Sequence, residues 1–144
     1  MKDNLYLTQT DTTIGFVSQS SYKIDKAKDR LPNKYYIRVV NSLEMLKSFS
    51  RVPNSHKNRV RRSKKTTFIM PNGLSFRVVK DSEHNLLLDR FKWFYSSSAN
   101  LSGYSYDEVY AMSVADVIVS PLSKRGNPST IYRLGRDRSM KIVR

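Results

Sequence analysis

The chain has no cysteine among its 144 residues, so disulfides and thiolate metal sites are excluded. Histidine is nearly absent as well: His56 and His84 are the only imidazoles, no His-x-x-x-His pair occurs, and the carboxylates do not cluster in a metal-ligand pattern. Glycine is scarce, and none of the five glycines sits in a Walker or Rossmann phosphate loop, which excludes the common nucleotide folds. No apolar run approaches the ~20 residues that span a bilayer. The start, Met1-Lys2-Asp3-Asn4, lacks the apolar stretch of a signal peptide, so a soluble cytoplasmic protein is expected. Acidic residues are also few. Twelve Asp and Glu face 26 Lys and Arg, a net charge of +14, and such an excess favours phosphates and polyanions. The basic residues gather at Lys23 to Arg30, Arg59 to Lys65 and Arg133 to Arg138.

With 39% apolar residues and no repeat or linker, one domain over residues 1–144 is expected. Strand-like alternation marks residues 5–8 and 14–18. Ser20 then caps a helix running to Arg30, which Pro32 stops. Residues 35–40 are the most strand-like stretch of the first half, and Ser42 opens a short helix over 43–49. Pro71-Asn72-Gly73 lies between strands 66–70 and 74–79, a hairpin signal because both central residues of the favoured turn take positive φ. Ser82 caps a helix over 83–94, with Leu86, Leu87, Phe91 and Phe94 as its apolar stripe. A strand over 95–98, a helix over 106–115 and strands at 117–119, 130–133 and 140–143 complete the pattern. Helices and strands alternate but a hairpin interrupts them, so the fold class is α/β: a twisted mixed sheet with flanking helices.

Four short elements, in order, carry chemistry: Thr10-Asp11-Thr12-Thr13-Ile14-Gly15-Phe16, Lys28-Asp29-Arg30, Ser96-Ser97-Ser98-Ala99-Asn100-Leu101-Ser102-Gly103 and Asn127-Pro128-Ser129-Thr130-Ile131. Lys28 and Arg30 by themselves read equally well as a basic helix end complementing the dipole. The small polar run at Ser98 could by itself be a turn or a cap. As an ordered set, with Thr67-Phe68-Ile69, Phe76-Arg77-Val78 and the closing Lys141-Ile142-Val143-Arg144, they resemble the YrdC-like family, whose characteristic members are threonylcarbamoyl-AMP synthases. The likeness extends over nearly the whole chain. It departs from the family pattern at Ile14, at Leu31 after Lys-x-Arg, at Ser63-Lys64-Lys65 and in the short lead before Thr8, as a trimmed member would.

What the resemblance implies is a YrdC-like fold and synthesis of threonylcarbamoyl-adenylate from L-threonine, bicarbonate and ATP with release of pyrophosphate. That product feeds tRNA t6A37 modification through downstream transfer proteins. It implies that Lys28, Arg30, Ser98 and Asn100 act on the nucleotide phosphates and carry catalysis. Thr10, Ser129 and Arg77 would bind threonine, and Thr67 and Arg144 would join the ATP site. Mg²⁺ would be held through the ATP phosphates rather than by a protein cage. The rival reading is a non-enzymatic RNA-binding module of the same fold, which the charge and aromatics such as Tyr104 and Tyr106 suit, with tRNA or other RNA as its partner.

Overall fold

The computed structural model describes residues 2–30, 36–79, 82–101, 103–119, 122, 128–137 and 139–144, without the side chains of 82–86. Pro32, Tyr35, Ser102, Asn127 and Arg138, and the side chains of His84 and Leu86, lie outside this set. In chain order the elements are β1 (Tyr6–Gln9), β2 (Ile14–Ser18), α1 (Ser21–Lys28), β3 (Ile37–Val40) and α2 (Leu43–Lys47). A 3-10 turn (Asn54–His56) leads into α3 (Lys57–Arg62), followed by β4 (Thr66–Ile69), β5 (Ser75–Val78) and α4 (Ser82–Phe91). The rest is β6 (Trp93–Ser98), α5 (Glu108–Val114), β7 (Val117–Ile118), β8 (Thr130–Leu134) and β9 (Met140–Ile142).

All nine strands join one mixed sheet in the order β7-β1-β2-β6-β3-β5-β4-β8-β9. The pairs β1–β7, β3–β5 and β4–β8 are parallel and the others antiparallel, the α/β arrangement expected from sequence. Alternation along each strand splits the sheet into two unlike faces. On one face Leu7 and Phe16 pack against Ile24 and Ala27 of α1 and Ala111 of α5. On the same face Val40, Phe68, Phe76 and Leu134 pack against Leu43 and Leu46 of α2 and Val60 of α3. On the opposite face Tyr6, Val17, Val39 and Phe94 meet Leu88 of α4. Beyond that patch the second face turns polar, through Thr8, Ser96, Arg77 and Thr67, all buried.

Local signals explain most boundaries. Ser20 Oγ accepts the Lys23 amide at the start of α1 and Ser42 Oγ accepts the Met45 amide at the start of α2, both as expected. The β4–β5 hairpin forms, but only Gly73 has positive φ (+88°), and Gly73 N donates to Met70 O at 2.8 Å. The loop is therefore a three-residue turn closed by a left-handed glycine, rather than a two-residue turn with both centres at positive φ. Three further boundaries differ from the sequence reading. The helix expected to start at Glu83 starts one residue earlier, with Ser82 as the first residue of α4. Asp107 caps α5, whose first residue is Glu108. The helix expected to reach Phe94 stops at Phe91, because Lys92 adopts φ +77° and sends Trp93 and Phe94 into β6.

At the end of α1, Asp29 is left-handed at φ +50°, and the Arg30 amide donates to Asp25 O at 2.9 Å. This conformation turns Arg30 away from the helix axis immediately after Lys28. A β-branched residue there resists left-handed backbone, so Asp29→Val should lower unfolding free energy by about 1–2 kcal/mol. Asp29→Gly should match or exceed the parent. Urea denaturation of both variants checks this; equal loss in both would contradict the strained turn.

Candidate active site

Lys28 is buried, 1% exposed, although it ends a helix in a chain of net charge +14. Its ammonium donates to Ser98 O at 2.8 Å, Asn100 O at 2.9 Å and Asn100 Oδ1 at 3.4 Å. All three N–H groups are thereby committed. Asn100 is equally occupied: its Nδ2 donates to Leu101 O at 2.9 Å and Tyr104 O at 2.7 Å, and its Oδ1 also accepts the Ser98 hydroxyl. Burial, with the nearby Arg30 guanidinium adding to it, pulls the Lys28 pKa down to about 8. The sequence expectation assigned Lys28, Ser98 and Asn100 directly to phosphate. The structure brings the three together as one bonded unit, in which the lysine holds the turn.

Two neighbours aim the end of α1. Tyr110 Oη of α5 donates to Ala27 O at 2.6 Å. The Arg30 guanidinium lies 5.3 Å from the Tyr36 ring centroid, and the Tyr36 hydroxyl donates to Asp25 Oδ1. Burial and the Asp25 carboxylate push the Tyr36 phenol well above its usual range.

The turn at Ser98 lies beside the β1–β2 connection, since Gly15 pairs with Ser98 and the Ala99 amide donates to Ile14 O. Gly15 has to be glycine here: a Cβ would stand 2.9 Å from Ser97 O and 3.1 Å from Thr10 Cγ2. Thr10 Oγ1 organises the connection, accepting the Thr12 and Thr13 amides at 3.2 and 3.1 Å and donating to Thr13 O.

Asp11, between these threonines, reaches across the polar face to Arg77 of β5, with Arg77 Nε donating to Asp11 Oδ1 at 3.1 Å. Arg77 Nη1 points on to Thr67 Oγ1 at 3.5 Å, and Thr67 Oγ1 is 2.7 Å from Ser129 Oγ. Arg144 closes the set, its Nε donating to Ser129 O at 3.0 Å. Thr67, Arg77, Ser129 and Arg144 thus form one cluster, with Thr10 beside it and beside the Lys28 turn. Burial lowers the Arg77 pKa; Asp11 opposes the shift and Arg144 adds to it.

The ion pair of Asp11 with Arg77, 66 residues away, has no local signal in the sequence. The second Asp11 oxygen, Oδ2, is buried without a hydrogen-bond partner. Among the described residues no three His, Cys, Asp or Glu converge on a metal position, and no helix is long and apolar enough to cross a membrane.

The nine-stranded mixed sheet with flanking helices, traced among the described residues, is the YrdC/Sua5-like α/β fold, which the chain shares with solved structures. Sua5 from P. abyssi, solved in complex with L-threonine, superposes with a TM-score of 0.84 at 19% identity over 99% of this chain and 50% of that one. YciO from E. coli gives 0.76 at 18% identity over 99% and 83%, and the MTH1692 protein from Methanobacterium thermoautotrophicum gives 0.68 at 19% over 99% and 80%. The chain spans about half the length of the Sua5 structures it matches. No family profile and no curated protein sequence matches the chain.

Two predictions follow from the geometry. Removing one partner of a buried ion pair strands the other, so Arg77→Met should lower unfolding free energy by about 3–5 kcal/mol, with Asp11→Asn/Arg77→Met recovering part of the loss. Calorimetry of Asp11→Asn, Arg77→Met and the double variant tests the coupling, and strictly additive losses would remove it. Lys28 binds its proton less tightly folded than unfolded, so its contribution to stability rises with pH between about 8 and its ordinary value of 10.5. Lys28→Met should abolish that rise in urea titrations at pH 7.5, 9 and 10; an identical pH slope in parent and variant would contradict it.

Proposed function

We propose that this chain is an L-threonylcarbamoyladenylate synthase acting in tRNA t6A37 modification in the cytoplasm. The observation that carries the reading is the convergence of the Lys28–Ser98–Asn100 turn and the Asp11–Arg77–Thr67–Ser129–Arg144 cluster on the β1–β2 connection. The fold shared with a protein solved with L-threonine supports it.

In this reading bicarbonate and the threonine amine form a carbamate with loss of water. A carbamate oxygen then attacks the ATP α-phosphorus, and pyrophosphate leaves as the P–O bond breaks. Two anions have to meet, so the protein's task is positioning and charge neutralisation rather than covalent chemistry. Lys28 contributes its field and holds the Ser98–Asn100 backbone against the nucleotide. Arg30, aimed by its left-handed neighbour and the Tyr36 ring, offers a planar fork to phosphate oxygens. Thr67, Ser98, Asn100 and Arg144 complete the ATP side. Thr10, Ser129 and Arg77 serve threonine, with the buried Asp11 carboxylate holding the Arg77 guanidinium in place. Mg²⁺ would be carried by the ATP phosphates and water rather than by a cage of protein carboxylates.

A second reading, a non-enzymatic RNA-binding module, is favoured by the charge of +14 together with only two ion pairs among the described residues. One assay separates them. Pyrophosphate release should require threonine, bicarbonate and ATP together and should fall about a hundredfold in Arg30→Ala with the fold retained. No release, combined with a melting temperature raised by RNA and not by ATP plus threonine, would replace the synthase with the module.

A further inference from the structure

A cavity of about 630 Å³ lies away from this site, where the segment joining α2 to α3, the β4–β5 turn and the β8–β9 turn meet. These segments border the apolar face, where Phe68 and Phe76 pack, so the cavity stands across the sheet from the side taken by Arg77 and Thr67. None of the residues assigned to ATP or threonine lines it.

Hydrogen bonds tie its walls together, and both charged residues that line it are cations. Ser55 Oγ donates to Asp137 O at 3.2 Å, tying the β8–β9 turn to the 3-10 turn. Asn72 Oδ1 is spent on the Leu74 amide at 3.0 Å, which leaves its Nδ2 group to offer. Asp137 turns its carboxylate into its own hairpin, accepting the Ser139 amide at 2.8 Å, and no carboxylate lines the cavity. Arg51 and Arg136 are both exposed at its walls, and neither has an acidic partner among the described residues. Pro53 and Pro71 add apolar surface with no N–H.

We propose that this cavity is a second ligand site, taking a small organic phosphate whose phosphoryl group lies between Arg51 and Arg136. Guanidinium forks match tetrahedral oxyanions, so two of them with Asn72 Nδ2 grip a phosphate without a metal. The volume falls within the range of about 300–1,000 Å³ that holds drug-sized and nucleotide-sized molecules. The half-buried Pro71 then faces the organic part. The site is independent of the synthase reading, because it shares no residue with it.

The test is ¹H–¹⁵N NMR of the full chain titrated with AMP, inorganic phosphate and adenosine. AMP and phosphate should shift the amides of Ser55, Asn72 and Arg136, and adenosine should not. In Arg51→Gln/Arg136→Gln, two exposed substitutions outside the core, the AMP affinity read at those amides should fall about tenfold or more. The same shifts should persist in Lys28→Met. Four results would overturn the proposal: AMP shifts confined to the Lys28–Asn100 region, unchanged affinity in the double variant, equal binding of adenosine, or a response at these amides to single-stranded RNA but to neither AMP nor phosphate.

Discussion

A buried ammonium, that of Lys28, organises the turn at the end of β6 and the end of α1 beside it. Carbonyl oxygens that converge on one point repel each other and need a cation or water between them. Lys28 supplies the cation from inside, bonded to Ser98 O and Asn100 O, and so fixes a turn of small side chains that no regular element could hold. The cost is desolvation of a charge, visible in a pKa drawn down to about 8. Three N–H···O contacts to two residues offset part of that cost, because hydrogen bonds to charged groups are the stronger kind. The rest of the site follows from this bond: α1 has to end where Lys28 can enter, and Asp29 has to turn left-handed to release Arg30 sideways.

The sheet divides labour between its faces. The face covered by α1, α2, α3 and α5 holds most of the aromatic and aliphatic core, and α4 covers a smaller apolar patch on the other, so stability at both comes from apolar burial. The polar face is held by ion pairing and hydroxyl contacts that run from the β1–β2 connection through β5 and β4 to the C-terminal strand. A polar chain of this kind adds little net stability but fixes where each side chain points. Separate elements thereby deliver polar and charged residues to one region, with Asp11 tying the β1–β2 connection to Arg77.

Much of this was legible in the residues. Ser20 and Ser42 announce their helices through a local bond to the backbone, and Gly73 announces its turn through a conformation few residues accept. The ordered motifs pointed to the right fold and named the residues that gather. What escaped had no local signature. Lys92 takes a left-handed backbone with no glycine or asparagine to mark it, so the apolar spacing of Phe91 and Phe94 read as continuing helix. Asp11 and Arg77 pair across 66 residues, which periodicity cannot register. The burial of Lys28 had no local sign because its partners, two backbone carbonyls and an amide oxygen, are 70 or more residues away.

Everything attributed to the site requires the Lys28 ammonium to be inside the protein and bonded to that turn. Lysine-selective ¹H–¹⁵N NMR of the Nζ group reports it directly. The account predicts a Lys28 signal visible at neutral pH through slow proton exchange, titrating near 8 and coupled through its hydrogen bonds to the Ser98 and Asn100 carbonyls. A Lys28 resonance that exchanges rapidly with water and titrates with the exposed lysines would contradict it.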